Sequence, residues 1–316
     1  MGSEGSVRDE LFPSETSAVL LGILIPPLLI LWICSLYLVR REDDPARMAF
    51  TFMKIVYPMA LLTLTFRFIH FIAMNKIPVS RVSDETLSDG FLHCMLQIIN
   101  RLDALSTMFL DITDIFLIIT LFELGNGFLI CLTAKRSSFY LVVRYTILVP
   151  SAAVLYLAIT NFIRGNSIWI KSLSMEEDSE QRIWKDLEEL DEWDTPVLIL
   201  WGVASFVLLA YACFVCNKAR DKPMILDSTV IFLGATVLNL LNPGRQLLMI
   251  ILNLDKDRWY ITGQSFYLID NISDHWVRFF IIALIFVLGM RKDNGLWTTP
   301  PRLPGGLVPA TNAIKG

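Results

Sequence analysis

Residues 111–127 read DITDIFLIITLFELGNG. This stretch is apolar enough for a membrane helix, yet it contains Asp111, Asp114 and Glu123. A charged side chain in mid-membrane costs several kcal/mol when it faces lipid, so it normally faces protein or water. The stretch therefore predicts a helix inside a membrane bundle, with basic side chains on the neighbouring helices.

The rest of the chain has the composition of a membrane protein. Hydrophobic residues make up 54% of its 316 residues, the mean hydropathy is +0.54, and the apolar residues cluster into long blocks. About twenty apolar residues span the hydrocarbon core of a bilayer. We therefore predict an all-α, polytopic bundle of seven transmembrane helices, at residues 17–39, 50–74, 104–133, 139–163, 196–217, 225–252 and 265–290.

Charges between the blocks predict the orientation of the bundle. One side of the membrane receives the acidic segment 1–16 and the acidic loop 164–194, and the other side receives basic connections. We therefore place the N-terminus outside and the C-terminus in the cytosol, in the plasma membrane or another secretory-pathway membrane. The cytosolic side then receives the basic residues of tight connections: Arg40, Arg41, Arg47, Lys135, Arg136, Lys218, Arg220, Lys222, Arg291 and Lys292.

Three segments flank or interrupt the membrane domain, which we assign to residues 17–292. Block 17–39 lacks the basic start and small-residue cleavage site of a signal peptide, so we expect a retained first helix, preceded by the external leader 1–16. Loop 164–194 is either a short amphipathic helix across the outer mouth or a solvated acidic connector. The tail 293–316 is rich in Gly and Pro, which favours disorder, and its PPRLP sequence could dock a cytosolic partner.

Other features narrow the range of partners. The net charge of −4 gives no indication of nucleic-acid binding. Four of the five cysteines lie in apolar blocks, where small buried thiols are ordinary packing residues. Palmitoylation of Cys216, near a helix end, is the alternative for that residue. We expect membrane lipid and a small or amphipathic ligand as partners, and no cofactor.

Polar residues form stripes on four of the predicted helices. On the third helix, at 100° per residue, they fall within an arc of about 120°. Stripes of this kind should point into the bundle and line a polar cavity that opens outward. The predicted ligand-binding residues are Arg67, His70, Asn100, Asp103, Thr107, Asp111, Asp114, Asn242, Arg245, Tyr267, Asp270, Asp274 and Arg278.

The heights of these charges along the helices predict which of them pair. A rise of about 1.5 Å per residue places most of them roughly 24–33 Å from the cytosolic ends. We expect Asp111 and Asp114 to face Arg67, with Arg245 as the second candidate partner. A network that only holds the helices in position is the alternative to a ligand site.

Two features of the sixth and seventh helices lie at a similar height in the membrane to these charges. Asp274 and Arg278 are four residues apart and are expected to pair within the seventh helix. The Asn242–Pro243–Gly244 break removes a backbone donor and loosens the sixth helix, so it is either a hinge or a static kink.

Three functions fit these features. A receptor-like sensor would take its ligand into the outer cavity and pivot at Pro243. A carrier or lipid or drug exporter would switch partners within the charge network during transport. An intramembrane metal-dependent hydrolase would use His70, His93 and His275, although no His-x-x-x-His pair indicates a metal site. We favour the sensor, which is not an enzyme, over the carrier and the hydrolase.

Three segments carry a resemblance to a known family. The sequences DITDIFLIITLFELGNG, GRQLLMIILNLD and SFYLID resemble motifs of the fungal lipid-translocating exporter family. The resemblance implies seven helices and a role in lipid or drug tolerance. Two departures are that Glu123 stands where a glutamine is expected and that Asn126 interrupts the glycine cluster. The counterparts of the family's motif residues would be Asp114, Gly125, Gly127, Arg245, Tyr267 and Asp270.

Overall fold

The computed structural model describes residues 4–39, 45–76, 89–133, 139–172, 180–253 and 263–291. Seven of the helices in these ranges are long and apolar enough to cross a membrane, which confirms the predicted all-α class and the number of spans. They are α1 (Glu4–Leu38), α2 (Ala49–Lys76), α3 (Asp89–Thr133), α4 (Phe139–Ser172), α5 (Glu180–Ala219), α6 (Pro223–Asn253) and α7 (Gly263–Met290), and a 3₁₀ turn, Pro45–Arg47, precedes α2.

Several helices extend beyond their predicted apolar blocks. α1 begins at Glu4, inside the predicted leader, and α4 continues to Ser172. α5 begins at Glu180, so residues 180–194 are continuous with its membrane span and do not form a separate helix across the mouth. The hydropathy pattern marks only the part inside lipid, whereas backbone hydrogen bonds continue wherever the sequence supports a helix. The tail 293–316 lies outside the described residues.

Helix α3 is the central element of the bundle. It packs against α2, α4, α5 and α6, while α1 packs against α2 and α7, and α7 against α6. In its most apolar stretch 72% of the residues are buried, whereas the corresponding value is 11–44% for the other six helices. The helix that carries Asp111, Asp114 and Glu123 is therefore the one most enclosed by protein.

A close approach between α3 and α5 depends on Gly125. A Cβ atom at this position would collide with the ring of Tyr211 and would lie 3.1 Å from Phe232. The hydroxyl of Tyr211 donates a hydrogen bond to Oδ1 of the adjacent Asn126 at 2.7 Å. The absence of a side chain at Gly125 thus allows the tyrosine to pack directly on the α3 backbone.

Basic side chains cap helix C-termini at one end of the bundle. Arg47, only 1% exposed, donates from Nη2 to the carbonyl of Gly289 near the end of α7 at 2.8 Å. Lys222 donates from Nζ to the carbonyl of Leu132 in the last turn of α3 at 2.7 Å. These carbonyls have no partner within their own helices, and a cation there also interacts favourably with the helix dipole.

Candidate functional site: a buried charge network between α3, α6 and α7

An arginine on α7 holds an aspartate on α3. Arg278 donates from Nε to Oδ1 of Asp114 at 2.6 Å and from Nη2 to Oδ2 at 2.7 Å. Its side chain is 6% exposed and that of Asp114 is 22% exposed. A two-point bond between guanidinium and carboxylate sets the orientation as well as the distance of both groups. The pair therefore joins α3 to α7 at a defined rotation of each helix.

The same arginine connects to a second acid and, through it, to α6. Arg278 donates from Nη1 to the backbone carbonyl of Asp274 at 2.7 Å and lies 3.8 Å from its carboxylate. The Asp274 carboxylate also forms an ion pair with Arg245 of α6. Asn242, oriented with its amide nitrogen toward Asp274, donates to Oδ1 at 2.6 Å and accepts from Nη2 of Arg278 at 2.6 Å. We call these residues, Asp114, Asn242, Arg245, Asp274 and Arg278, the charge network.

A separate ion pair joins α2 to α3. Arg67 pairs with Asp103, and its guanidinium also lies 5.4 Å from the centre of the Phe71 ring. His70, one turn from Arg67, hydrogen-bonds through Nδ1 to the carbonyl of Ile99 at 3.1 Å. Asp111 lies close enough to interact electrostatically with Arg278. The polar stripes of α2 and α3 thus meet.

The pairing predicted between Asp114 and Arg67 was wrong. Asp114 pairs with Arg278 and not with Arg67, while Arg67 pairs with Asp103. Arg245 pairs with Asp274 of α7. The estimate of height along each helix left the order of helices around α3 undetermined, and that order decides which arginine a carboxylate can reach. The pairing predicted between Asp274 and Arg278 within α7 is confirmed.

Two further predicted site residues, Thr107 and Asn100, lie on α3 outside the charge network. Thr107 is exposed, and its hydroxyl donates to the Asp103 carbonyl of its own helix at 3.1 Å. Asn100 is half-buried on α3, one turn before Asp103. Tyr267 and Asp270 lie on α7, but their side chains are outside the described part of the chain.

The space around the network is small. A cavity of about 30 Å³ lies between α3, α5, α6 and α7, and one of about 20 Å³ lies between α1, α2, α3 and α7. Arg278 lines both cavities. Drug-sized ligands occupy pockets of roughly 300–1,000 Å³. Among the described residues around the network, these two cavities are smaller than a drug-sized ligand requires, and the charged groups there pair with each other.

A second buried acid on α3 pairs with α4. Glu123 is 3% exposed, and its Oε1 lies 3.3 Å from Nε of Arg144. This is nine residues along α3 from Asp114, about 13 Å at the helical rise. α3 therefore carries buried acids at two heights: Asp114 pairs with α7, and Glu123 pairs with α4.

The sequence-based prediction missed Arg144 as the partner of Glu123. Its signal was an arginine in the second turn of the fourth helix, near the same end of the bundle as Glu123. It also did not include Trp201 and Ser205 of α5, which line the larger cavity. These two residues show no charge pattern in the sequence, so only the packing of α5 against α6 identifies them.

The hydrolase hypothesis finds no ligand set in the described residues. Within them, no three His, Cys, Asp or Glu side chains are grouped to hold a metal ion. His275 is 7% exposed and lines the smaller cavity beside Arg278. His93 lies in a stretch whose side chains are not described. The metal-dependent hydrolase stays a hypothesis from the sequence.

Comparisons with protein-family models, with curated proteins and with solved structures found no match to this chain. The resemblance to the lipid-translocating exporter family therefore stays a prediction from three short segments. The assignment of function rests on the geometry of the charge network and its surroundings.

Proposed function

We propose that this chain is a receptor-like membrane sensor in which a small or amphipathic ligand acts on the charge network. The observation that supports this proposal is the position of Asn242 and Arg245, which hold α6 to α7 on either side of Pro243 and Gly244. A group that displaced them would release α6 where that helix bends most easily.

The break in α6 provides the movable element. Pro243 has no backbone N–H, so the Asn239 carbonyl lacks its usual partner in the helix. Among the described residues, a Cβ atom at Gly244 would meet nothing within 4 Å, so the helix has open space on that side. When α6 is released from Asp274, this space gives it room to bend.

The small volume of the cavity suits a sensor. A ligand larger than a few atoms can enter only if the helices separate, so its binding requires a change in the bundle. Such a ligand shifts the equilibrium by its difference in affinity for the open and closed states. Its polar group would compete for Arg245 or Arg278, and its apolar part would lie among the helices.

We further propose that the N-terminus is outside and the C-terminus is in the cytosol. Lys218, Arg220 and Lys222 lie at the connection between α5 and α6, and Arg47 and Arg291 lie at the same end of the bundle. An excess of basic residues in short connections marks the cytosolic side. A tag after Gly316 should be inaccessible to antibody on intact cells, and labelling without permeabilisation would contradict this orientation.

The sensor is tested with three probes that share a twelve-carbon chain: dodecanoate, dodecylammonium and dodecanol. Each is titrated into the protein in lipid nanodiscs while the thermal midpoint is measured. We expect one charged probe to shift the midpoint saturably, because only a charged head competes within the network. The shift should disappear in the neutral double variant Arg245→Met/Asp274→Leu and persist in Arg67→Met/Asp103→Leu, which removes a pair not bonded to α6. An equal shift in both variants would contradict the proposal.

A carrier is the second candidate, and the Glu123–Arg144 pair favours it. Alternating access needs one closure on each side of a substrate site, and α3 has charged levels about 13 Å apart. Uptake of the bound probe into proteoliposomes distinguishes the two functions. A sensor binds the probe and changes shape without uptake, whereas a carrier shows uptake that Arg144→Met alters.

A further inference from the structure

One face of α5 is apolar and exposed over the depth of a single bilayer leaflet. Residues Val197–Ala219 of this helix are a candidate membrane span. Val203, Val207 and Phe214 are 57%, 54% and 49% exposed, and the smaller Ala210 is exposed between them. At 100° per residue these four positions fall within an arc of about 60° and extend over roughly 16 Å. We call them the apolar stripe of α5, and its length matches the hydrocarbon of one leaflet, about 15 Å.

A lysine follows the apolar stripe at the end of the helix. Lys218 is exposed and lies one turn after Phe214, about 40° further around the helix. Its ammonium nitrogen is 5.9 Å from the centre of the Phe214 ring. A lysine of this kind keeps its stem along apolar surface and its charge at the polar boundary. The ammonium group is therefore placed where the phosphate of a lipid meets the hydrocarbon.

The turn after α5 adds basic side chains at the same end. α5 ends at Ala219 and α6 begins at Pro223, and both Arg220 and Lys222 between them are exposed. The backbone N–H of Arg220 donates to the carbonyl of Asn217 at 3.4 Å, and that of Lys222 donates to the carbonyl of Ala219 at 2.8 Å. These bonds order the turn, so its basic residues keep a defined position relative to Lys218.

Positive charge is in excess around this turn. Lys218, Arg220 and Lys222 contribute three positive charges, while the exposed Asp221 and Asp227 contribute two negative charges, which leaves one positive charge. Within the described ranges, the ion pairs involve neither Lys218 nor Arg220. Lys222 already caps the end of α3. Lys218 and Arg220 are therefore the two cations best placed to bind an anionic group from outside the chain.

We propose that one anionic phospholipid binds at this end of α5, with its phosphate on Lys218 and Arg220 and one acyl chain along the apolar stripe. Basic side chains form charge-assisted hydrogen bonds to phosphate oxygens. The apolar stripe supplies contact area for the chain over the full depth of the leaflet. A zwitterionic lipid carries a cation beside its phosphate, which weakens its attraction to a basic surface, so an anionic headgroup fits this end better.

The lipid would stabilise the connection between α5 and α6. In the proposed orientation this end lies in the cytosolic leaflet, where anionic lipids are concentrated. The site shares no residue with the charge network. It therefore does not rest on the sensor function and requires only the basic turn and the apolar stripe.

The test measures the thermal midpoint of the full chain in an uncharged maltoside detergent. Dioleoylphosphatidylglycerol is titrated into the micelles, and dioleoylphosphatidylcholine, which has the same acyl chains, is the second series. We expect the anionic lipid to raise the midpoint saturably, because a ligand that binds only the folded state stabilises it. The zwitterionic lipid should require a higher concentration. Glycerol phosphate at the same concentration, which has the head without the chains, should have no comparable effect.

Two variants with the same net charge locate the lipid. Lys218→Gln/Arg220→Gln should raise the concentration of phosphatidylglycerol at half-maximal effect about tenfold, a difference of about 1.4 kcal/mol in binding. Lys54→Gln/Arg164→Gln is the matched control, because it removes two exposed basic residues on α2 and α4. Phe214→Ala keeps every charge and shortens the apolar contact, so it should also weaken binding. It serves as the second variant if the first does not fold.

Three results would overturn the proposal. Equal shifts with the two lipids would show that the headgroup charge is not recognised. Equal weakening in the two double variants would mean that the lipid responds only to the overall charge of the protein. A shift with glycerol phosphate as large as that with the lipid would identify a free anion as the ligand. Retention of about one phosphatidylglycerol per chain in native mass spectrometry, lost in Lys218→Gln/Arg220→Gln and kept in the control, would support the site.

Discussion

Asp114 of α3 and Arg278 of α7 are joined by two hydrogen bonds, at 2.6 and 2.7 Å, in the interior of a seven-helix chain. Arg278 also contacts Asp274, and Asp274 pairs with Arg245 of α6. Because each acid shares its arginine, the loss of one member changes the charge on the others. The network therefore acts as one unit that positions α3, α6 and α7 relative to each other.

Breaking the pair between Asp114 and Arg278 should destabilise the protein strongly. Arg278→Ala leaves the Asp114 carboxylate without its cation, and Asp114→Ala leaves Arg278 without its closest carboxylate, so each change should cost up to about 3–5 kcal/mol in the free energy of unfolding. The double variant should lose much less than the sum of the two single losses, because no charge is then left alone. The control is Asp114→Ala with Arg67→Ala, whose losses should be nearly additive. Additive losses for Asp114 and Arg278 would contradict the pairing.

Breaking the pair between Glu123 of α3 and Arg144 of α4 should also destabilise the protein. Arg144→Met leaves the Glu123 carboxylate buried without its cation, and the thermal midpoint should fall. Adding Glu123→Gln should restore much of the loss, since a neutral amide is less costly to bury than a carboxylate. Arg164→Met, at an exposed position of the same helix, should change the midpoint little. A second substitution that lowers the midpoint further would show that Glu123 does not depend on Arg144.

Gly125→Ala should disrupt the contact between α3 and α5. The added methyl group collides with Tyr211 and forces the helices apart, which typically costs about 1–3 kcal/mol. Gly234→Ala on α6 is the control, because a Cβ there meets nothing within 4 Å and alanine is the better helix former. Denaturation of the two variants in the same detergent compares them directly. Equal stability would mean that the close approach has no energetic importance.

Arg47→Ala should loosen the end of α7. The guanidinium is buried, bonds to the Gly289 carbonyl and lies 4.8 Å from the centre of the Phe50 ring, so alanine removes a cap and its packing. We expect faster hydrogen exchange of backbone amides in the last turns of α7 and a lower thermal midpoint. Lys54→Ala, at an exposed position near the same end, provides the comparison. Unchanged exchange near Gly289 would contradict a capping role.

Much of the fold is evident in the linear pattern of residues. Long apolar blocks specify seven spanning helices, because a backbone in lipid must satisfy its hydrogen bonds within the segment. The polar stripe through Asp103, Asp111 and Asp114 follows from the helical period and marks the face of α3 that avoids lipid. The contact between Asp274 and Arg278 is also local, since residues four apart lie on the same side of a helix.

The partners between helices follow from packing and are not evident in that pattern. A carboxylate on α3 at a given height could meet an arginine of α2, α6 or α7, and only the arrangement of these helices around α3 assigns Asp114 to Arg278. The same holds for Glu123, whose partner Arg144 depends on α4 packing beside α3. Hydropathy determines that each charge must turn inward, but the identity of its neighbour is a property of the whole bundle, because side chains from separate helices come together only when those helices pack.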